Sequence, residues 1–172
     1  MKQKNIKLSI KEHFFLYPTT RLRVREIERV INLALPSVIR YCKELEAEGI
    51  LKIIKTGSVS FYAADRASAA YLLEKRFYNI KQIHCTGLLS YLKEKLSNPV
   101  IVVFGSYATG EDTENSDIDL FVETPSKKNL SIEKFEQVLK RKIHLFLCQN
   151  ISAVQNKHLA NNIINGIVLN SQ

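Results

Sequence analysis

Residues 100–123 read VIVVFGSYATGEDTENSDIDLFVE, and the fold of the chain turns on this stretch. It opens with the β-branched run Val100 to Val103, closed by Phe104. Gly105 and Ser106 follow, then ten residues from Tyr107 to Ser116, then Asp117-Ile118-Asp119 running into Leu120-Phe121-Val122. A short unbroken Val and Ile run bounded by Gly predicts a strand buried on both faces. Gly105 lets the backbone turn sharply and approach a ligand where a Cβ would block it. Ser106 adds a hydroxyl, and the residues after it can open a short helix whose unpaired N–H groups attract phosphate. On a strand, Asp117 and Asp119 stand at i and i+2 and project from the same face. Two carboxylates on one face beside a phosphate cradle suit Mg²⁺ held between protein and a nucleoside triphosphate.

The pattern Gly-Ser, ten residues, Asp-x-Asp, with Gly110 shortly after the serine and Ser116 just before the first aspartate, resembles the signature of the polymerase β-like nucleotidyltransferase superfamily, especially its minimal nucleotidyltransferases. The resemblance covers residues 80–172 and implies a mixed sheet flanked by helices. It also implies transfer of a nucleoside monophosphate, AMP from ATP, to a hydroxyl acceptor. In that role Gly105 and Ser106 bind the nucleotide, and Asp117 and Asp119 are catalytic and hold the metal, Mg²⁺ or Mn²⁺. The acceptor is a protein tyrosine, as in antitoxin-type members, or a nucleic-acid or small-molecule hydroxyl.

The resemblance also locates a departure. The family carries a third carboxylate in an apolar-Asp-apolar-apolar strand, and the matching run here is Ile143-His144-Leu145-Phe146. Imidazole is a poorer ligand than carboxylate for Mg²⁺, though acceptable to Mn²⁺ or Zn²⁺. His144 is therefore either a catalytic group or an ordinary strand histidine. Thr109 is a second departure, since many members have Arg there. Two functions stay open: an active nucleotidyltransferase, or a DNA-binding regulator or antitoxin whose degenerate domain only binds nucleotide or a partner such as a toxin-like protein.

The 172 residues suffice for one domain or two small ones. The longest aliphatic run, with Phe104 counted, is five residues, which predicts neither a membrane span nor a secretory leader. Cys42, Cys85 and Cys148 are odd in number and widely spaced, against a disulfide framework or a Cys-x-x-Cys metal site. A cytoplasmic protein is expected. The net charge of +8 is uneven: residues 1–66 hold 13 Lys and Arg against 7 Asp and Glu, and residues 67–172 hold 12 against 10. A basic N-terminal third points to a polyanion partner.

In that third, apolar spacing predicts a helix from Ile6 to Tyr17, ended by Pro18, and a second from Val24 to Asn32 that buries Val24, Ile27, Val30 and Ile31. Pro36 opens a third helix that buries Val38, Cys42 and Leu45 and is capped by Gly49. Ile50 to Ile54 and Val59 to Ala63 read as two strands joined around Thr56-Gly57-Ser58. Three helices and a hairpin, with the run ALPSVIRYCKELEAEGILKI, resemble a winged helix-turn-helix. That resemblance implies DNA binding through the third helix, with Arg40 placed to read guanine and Ser37, Tyr41 and Lys43 to touch phosphate or bases. Ser37, Arg40, Tyr41 and Glu44 are expected to face away from the core. The expected fold class is α+β: a winged helix-turn-helix over residues 1–65, a helical connector over 66–79, and a polymerase β-like nucleotidyltransferase domain over 80–172.

Asp65 is expected to cap the connector helix, which runs through Ala67, Ala70, Leu73 and Phe77 and is interrupted at Tyr78-Asn79. Its apolar stripe reads either as core or as a homodimer contact. A second helix through Ile80, Ile83, Leu88, Leu92 and Leu96 stops at Pro99. Past the motif, the sequence predicts a helix from Ile132 to Lys140 capped by Ser131, with Phe135, Val138 and Leu139 inward. A strand from Lys142 to Cys148, a short helix near Ser152 to Leu159, and a helix-Gly-strand ending through Leu169 complete the expectation. His13, His84 and His158 show no ligand spacing.

Overall fold

The computed structural model describes residues 5–126 and 128–171 and divides between Tyr78 and Asn79 into two units. Each is a mixture of helices and sheet. No helix of the described residues is long and apolar enough to cross a membrane. All three cysteines are free thiols.

In the first unit, α1 (Ile6–Leu16) is followed by the two-residue strand β1 (Arg21–Leu22), α2 (Val24–Ile31) and α3 (Leu35–Ala47), then β2 (Leu51–Thr56) and β3 (Val59–Ala64). Ile10, Phe14, Ile27, Val38, Cys42 and Leu45 are fully buried and hold the three helices together. Burial pushes the Cys42 thiol up to about 12, so it packs as an inert apolar group. Gly49 lies at φ +71°, and the helix end carries both bonds of a Schellman cap: Gly49 N–H to Glu46 O and Ile50 N–H to Leu45 O. The three strands form an antiparallel sheet in the order β1-β3-β2. The strand β1 was not foreseen, because two residues carry no periodicity to read.

Two expectations about these helices need correction. Val30 is 56% exposed, because so short a helix buries only the narrow i, i+4 stripe of Ile27 and Ile31. Tyr41 does not face away from the core; it packs partly against it. It stands three residues after Val38 and four before Leu45, on the same helical stripe.

The helix α4 (Ala69–Cys85) runs on without the interruption expected at Tyr78-Asn79. No Gly or Pro breaks it, and the Asn79 amide bonds to other segments instead. Leu73 and Phe77 point outward, because the buried Tyr71, whose hydroxyl donates to Phe14 O at 3.1 Å, sets the inward face. The chain breaks instead at Gly87, the N-cap of α5 (Leu88–Leu96).

The second unit continues with β4 (Val100–Phe104), α6 (Gly105–Thr109), β5 (Ile118–Glu123), α7 (Glu133–Leu139), β6 (Ile143–Cys148), a 3₁₀ turn (Ile151–Ala153), α8 (Lys157–Ile164) and β7 (Ile167–Asn170). The sheet order is β6-β5-β4-β7; β4 is antiparallel to both neighbours, and β5 and β6 are parallel across the α7 crossover. One face packs Ile101, Val103, Leu120 and Val122 against α5 and α7 residues such as Leu92, Phe135 and Leu139. The other gathers Val102, Phe104 and Phe121 with Ile163 of α8. Both faces of β4 are thus buried, as its unbroken apolar run demands.

Three local readings of this unit are corrected. The N-cap of α7 is Ile132, not Ser131, whose N–H donates to the Tyr91 hydroxyl at 3.0 Å; Val138 faces solvent. The helix expected near Ser152 to Leu159 is a 3₁₀ turn and then α8. Asn156 caps α8, its side chain accepting from the N–H groups of His158 and Leu159.

Gly166, between α8 and β7, has no room for a side chain. A Cβ there would lie 2.6 Å from both Val102 Cγ1 and the backbone oxygen of Val103. Gly166→Ala is expected to destabilise the protein by about 1–3 kcal/mol through overpacking. An unchanged urea midpoint would contradict this close approach.

Candidate active site

The site grows out of strand register. Phe104 on β4 pairs with Asp119 on β5, and Asp119 pairs with His144 on β6. Residues paired directly across strands share a face. Asp117 lies two residues before Asp119, just ahead of the strand, and His144 meets both. Its Nε2 is 3.4 Å from Asp117 Oδ2 and its Nδ1 is 3.5 Å from Asp119 Oδ1. The position matched to the family's third carboxylate therefore adjoins both aspartates, on an edge strand where the His144 side chain is 57% exposed. Phe104 and Phe146, with ring centroids 5.4 Å apart, lie on the same sheet face.

Gly105 is fixed by two constraints. Its φ is +70°, which side chains rarely adopt, and a Cβ would sit 3.0 Å from Asp119 Oδ2. The turn from β4 into α6 thus lies directly against the second aspartate. Ser106 is half-buried in α6, and its carbonyl accepts from the N–H groups of Gly110, Glu111 and Asp112, closing the turn.

Burial raises the Asp119 carboxyl above the usual carboxylate range; neighbouring His144 pulls it down and Asp117 adds to the rise. A half-buried carboxylate beside a second one is a place where a cation is welcome. Among the described residues no three His, Cys, Asp or Glu side chains converge as a ready-made metal cage. The donor set nevertheless fits Mg²⁺ in its usual manner, held by one or two carboxylates with phosphate oxygens completing the shell.

Several supporting residues, Ser116 apart, gave no signal in the sequence. The buried Asn79 donates to Tyr107 O at 2.9 Å and Asp112 Oδ1 at 2.7 Å, and Arg141 Nη2 approaches Asp112 Oδ2 at 3.8 Å. These contacts tie α4, α6 and the start of β6 to the loop before the aspartates. The Ser116 hydroxyl accepts from Thr113 N–H at 2.9 Å and shapes the last turn before Asp117. Glu136 on α7 accepts from Ile143 N–H at 2.9 Å and from Lys142 Nζ at 3.0 Å. The Ile143 N–H, then Lys142, hold its carboxyl below the usual range, and the bonds anchor α7 to the residue before His144. A cavity of about 600 Å³ opens beside Asp117, lined by Glu133, Glu136, Gln137, Lys140 and Lys142 among others.

The residues expected to contact DNA lie in the first unit. The Arg40 side chain is exposed, 4.5 Å above the Tyr41 ring centroid and 3.8 Å from Glu44 Oε1. Lys43 is exposed and Ser37 half-buried. Glu44 and Glu48 both pair with Lys7 of α1, which offsets their charge along the second half of α3.

A strand, a glycine turn and paired carboxylates in this order define a nucleotidyl-transferring domain, and comparison with known proteins agrees. Residues 85–169 match the family model described as a nucleotidyltransferase domain. A protein of Methanocaldococcus jannaschii that carries the name protein adenylyltransferase is 40% identical over 67 residues, spanning 35% of this chain and 67% of that relative. No solved structure gives a significant match. The chain belongs to the nucleotidyltransferase-domain family, and such a domain implies a nucleoside triphosphate as substrate.

Proposed function

We propose that the protein transfers AMP from ATP to a hydroxyl acceptor, using Asp117 and Asp119 to hold Mg²⁺ and the Gly105-Ser106 turn to hold the triphosphate. The observation that carries this reading is the direct apposition of Gly105 and Asp119, with Asp117 and His144 completing one cluster. The acceptor oxygen bonds to the α-phosphorus, the bond to the bridging oxygen of the β-phosphate breaks, and pyrophosphate leaves. A divalent metal, when bound, supplies Lewis-acid charge at the phosphates. The chain's own contribution is to place phosphates against the Gly105 turn and to present carboxylates at a fixed distance from it. A protein hydroxyl is the favoured acceptor, in line with the name of the archaeal relative.

The test is incubation in lysate with labelled ATP, CTP, GTP and UTP under Mg²⁺ or Mn²⁺. Label on a protein band supports the reading; label on an RNA band changes the acceptor class. No label under any condition favours a second reading, a DNA-binding regulator or antitoxin with a degenerate transferase domain. That alternative rests on His144, which stands where a carboxylate would complete a two-metal site. Ser106→Ala is expected to weaken ATP binding by about 1.5–3 kcal/mol, the worth of one charge-assisted hydrogen bond. Calorimetry reads this directly, and unchanged affinity would remove Ser106 from the site.

We also propose that residues 1–65 of the first unit form a winged helix that binds DNA through α3. The exposed Arg40 and Lys43, and the pairing of Glu44 and Glu48 with Lys7, support this. Arg40→Ala is expected to cost about 1–3 kcal/mol and relax preference at one base pair. A full-length protein with no duplex affinity at low salt would move this unit to protein recognition.

A further inference from the structure

The face of the first unit's sheet that carries Arg21 and Lys52 holds a cationic trough that none of these roles uses. Arg21 on β1 and Lys52 on β2 both pair directly with Ala63 on β3, so all three side chains stand in one cross-strand row on one face. The middle residue is an alanine, leaving a shallow floor between two long cations. A cavity of about 420 Å³ lies there; its lining includes Arg21, Lys52 and Arg66, with Ala63, Ala64 and Ala67, and contains no carboxylate. Asp65 offsets part of the charge, its Oδ1 lying 3.3 Å from Lys52 Nζ. The next row on this face pairs Ile54 with Phe61, and the Arg23 guanidinium lies 5.3 Å over the Phe61 ring. Among the helices of this unit the charges are differently arranged. Lys7 is matched by Glu44 and Glu48, and Lys11 by Glu74. Arg21, Lys52 and Arg66 of this face carry one part of the positive excess of residues 1–66, beside the exposed Arg40 and Lys43 of α3.

We propose that this trough binds the sugar-phosphate backbone of a single-stranded nucleic acid, a site separate from the α3 surface. Arg21 and Lys52 contact phosphates, and an adjacent base stacks on the Arg23–Phe61 pair. Cations tracking a backbone beside an aromatic or guanidinium platform are the general means of holding single strands. The width suits one strand. Arg21 and Lys52 are separated by two strand spacings, about 10 Å, which admits a single chain between them and keeps a duplex on the rim.

The experiment is fluorescence anisotropy on the full chain with a labelled single-stranded oligonucleotide, and with its duplex as the second arm. The double variant Arg21→Gln, Lys52→Gln is expected to lose about a hundredfold in single-strand affinity, since each charged contact is worth about tenfold. Its log–log salt slope should shrink by about 1.4, about 0.7 for each phosphate contact removed. Arg40→Ala should leave single-strand binding unchanged. Both altered positions belong to the sheet's outer row, and an unchanged thermal melt checks the fold; the single variant Arg21→Gln should show an intermediate loss. Three outcomes overturn the proposal: no single-strand affinity in the wild type at low salt, wild-type affinity in the double variant, or a loss shared equally with Arg40→Ala.

Discussion

Asp117→Asn and Asp119→Asn are each expected to abolish metal-dependent ATP binding while the protein stays folded. Losing an outer partner of a metal ligand typically costs about 10–100-fold, and a direct ligand carries more than that. Calorimetry with Mg²⁺ and ATP should therefore show a loss beyond about a hundredfold. The two variants should differ in stability. Asp119 is half-buried and its carboxyl is raised by that burial, so the folded protein holds this proton more tightly than the unfolded chain does. Its contribution is complete below the ordinary Asp value and is lost as pH rises through the raised one. At neutral pH the charge is a cost, and Asp119→Asn should melt no lower than wild type, or higher. ATP binding unchanged in Asp117→Asn would show that the nucleotide sits elsewhere.

His144→Asp is expected to produce the other large effect, a gain of Mg²⁺-dependent transfer. Register places residue 144 beside Asp119 on the same face, so an aspartate there would add a hard oxygen donor to the pair. Each tenfold in rate is about 1.4 kcal/mol of barrier, and a second, correctly placed metal can supply several such steps. Wild type should be slow with Mg²⁺ and better with Mn²⁺, which accepts imidazole. Brisk wild-type turnover with Mg²⁺, together with loss of activity in the variant, would instead make His144 a working catalytic group.

The mixed sheet and its helices were legible because β4 and β5 announce themselves through unbroken apolar runs around a glycine turn. Gly105, Asp117, Asp119 and His144 come together because strand period and register settle which side chains share a face. What escaped the sequence was set by long-range partners. Asn79 reads as a helix breaker until its amide is seen to bond Tyr107 and Asp112. Tyr41 reads as outward-facing, yet it lies on the buried stripe of α3. Glu136 looks like one more surface acid on α7, and its bond to the Ile143 N–H appears only once α7 and β6 are side by side. Apolar stripes misled in another way: Val30, Leu73 and Val138 are apolar and exposed, because one or two buried positions per turn suffice.

The edge position of β6 has a genetic corollary. Histidine codons become aspartate codons by one change at the first base, C to G. Residue 144 is exposed and outside the packed core, so such a change leaves the apolar packing intact. Relatives bearing either residue can therefore arise from one another in a single mutational step, each as a folded protein. Selection at this position then acts on the charge and metal-binding chemistry of the cluster and not on the packing.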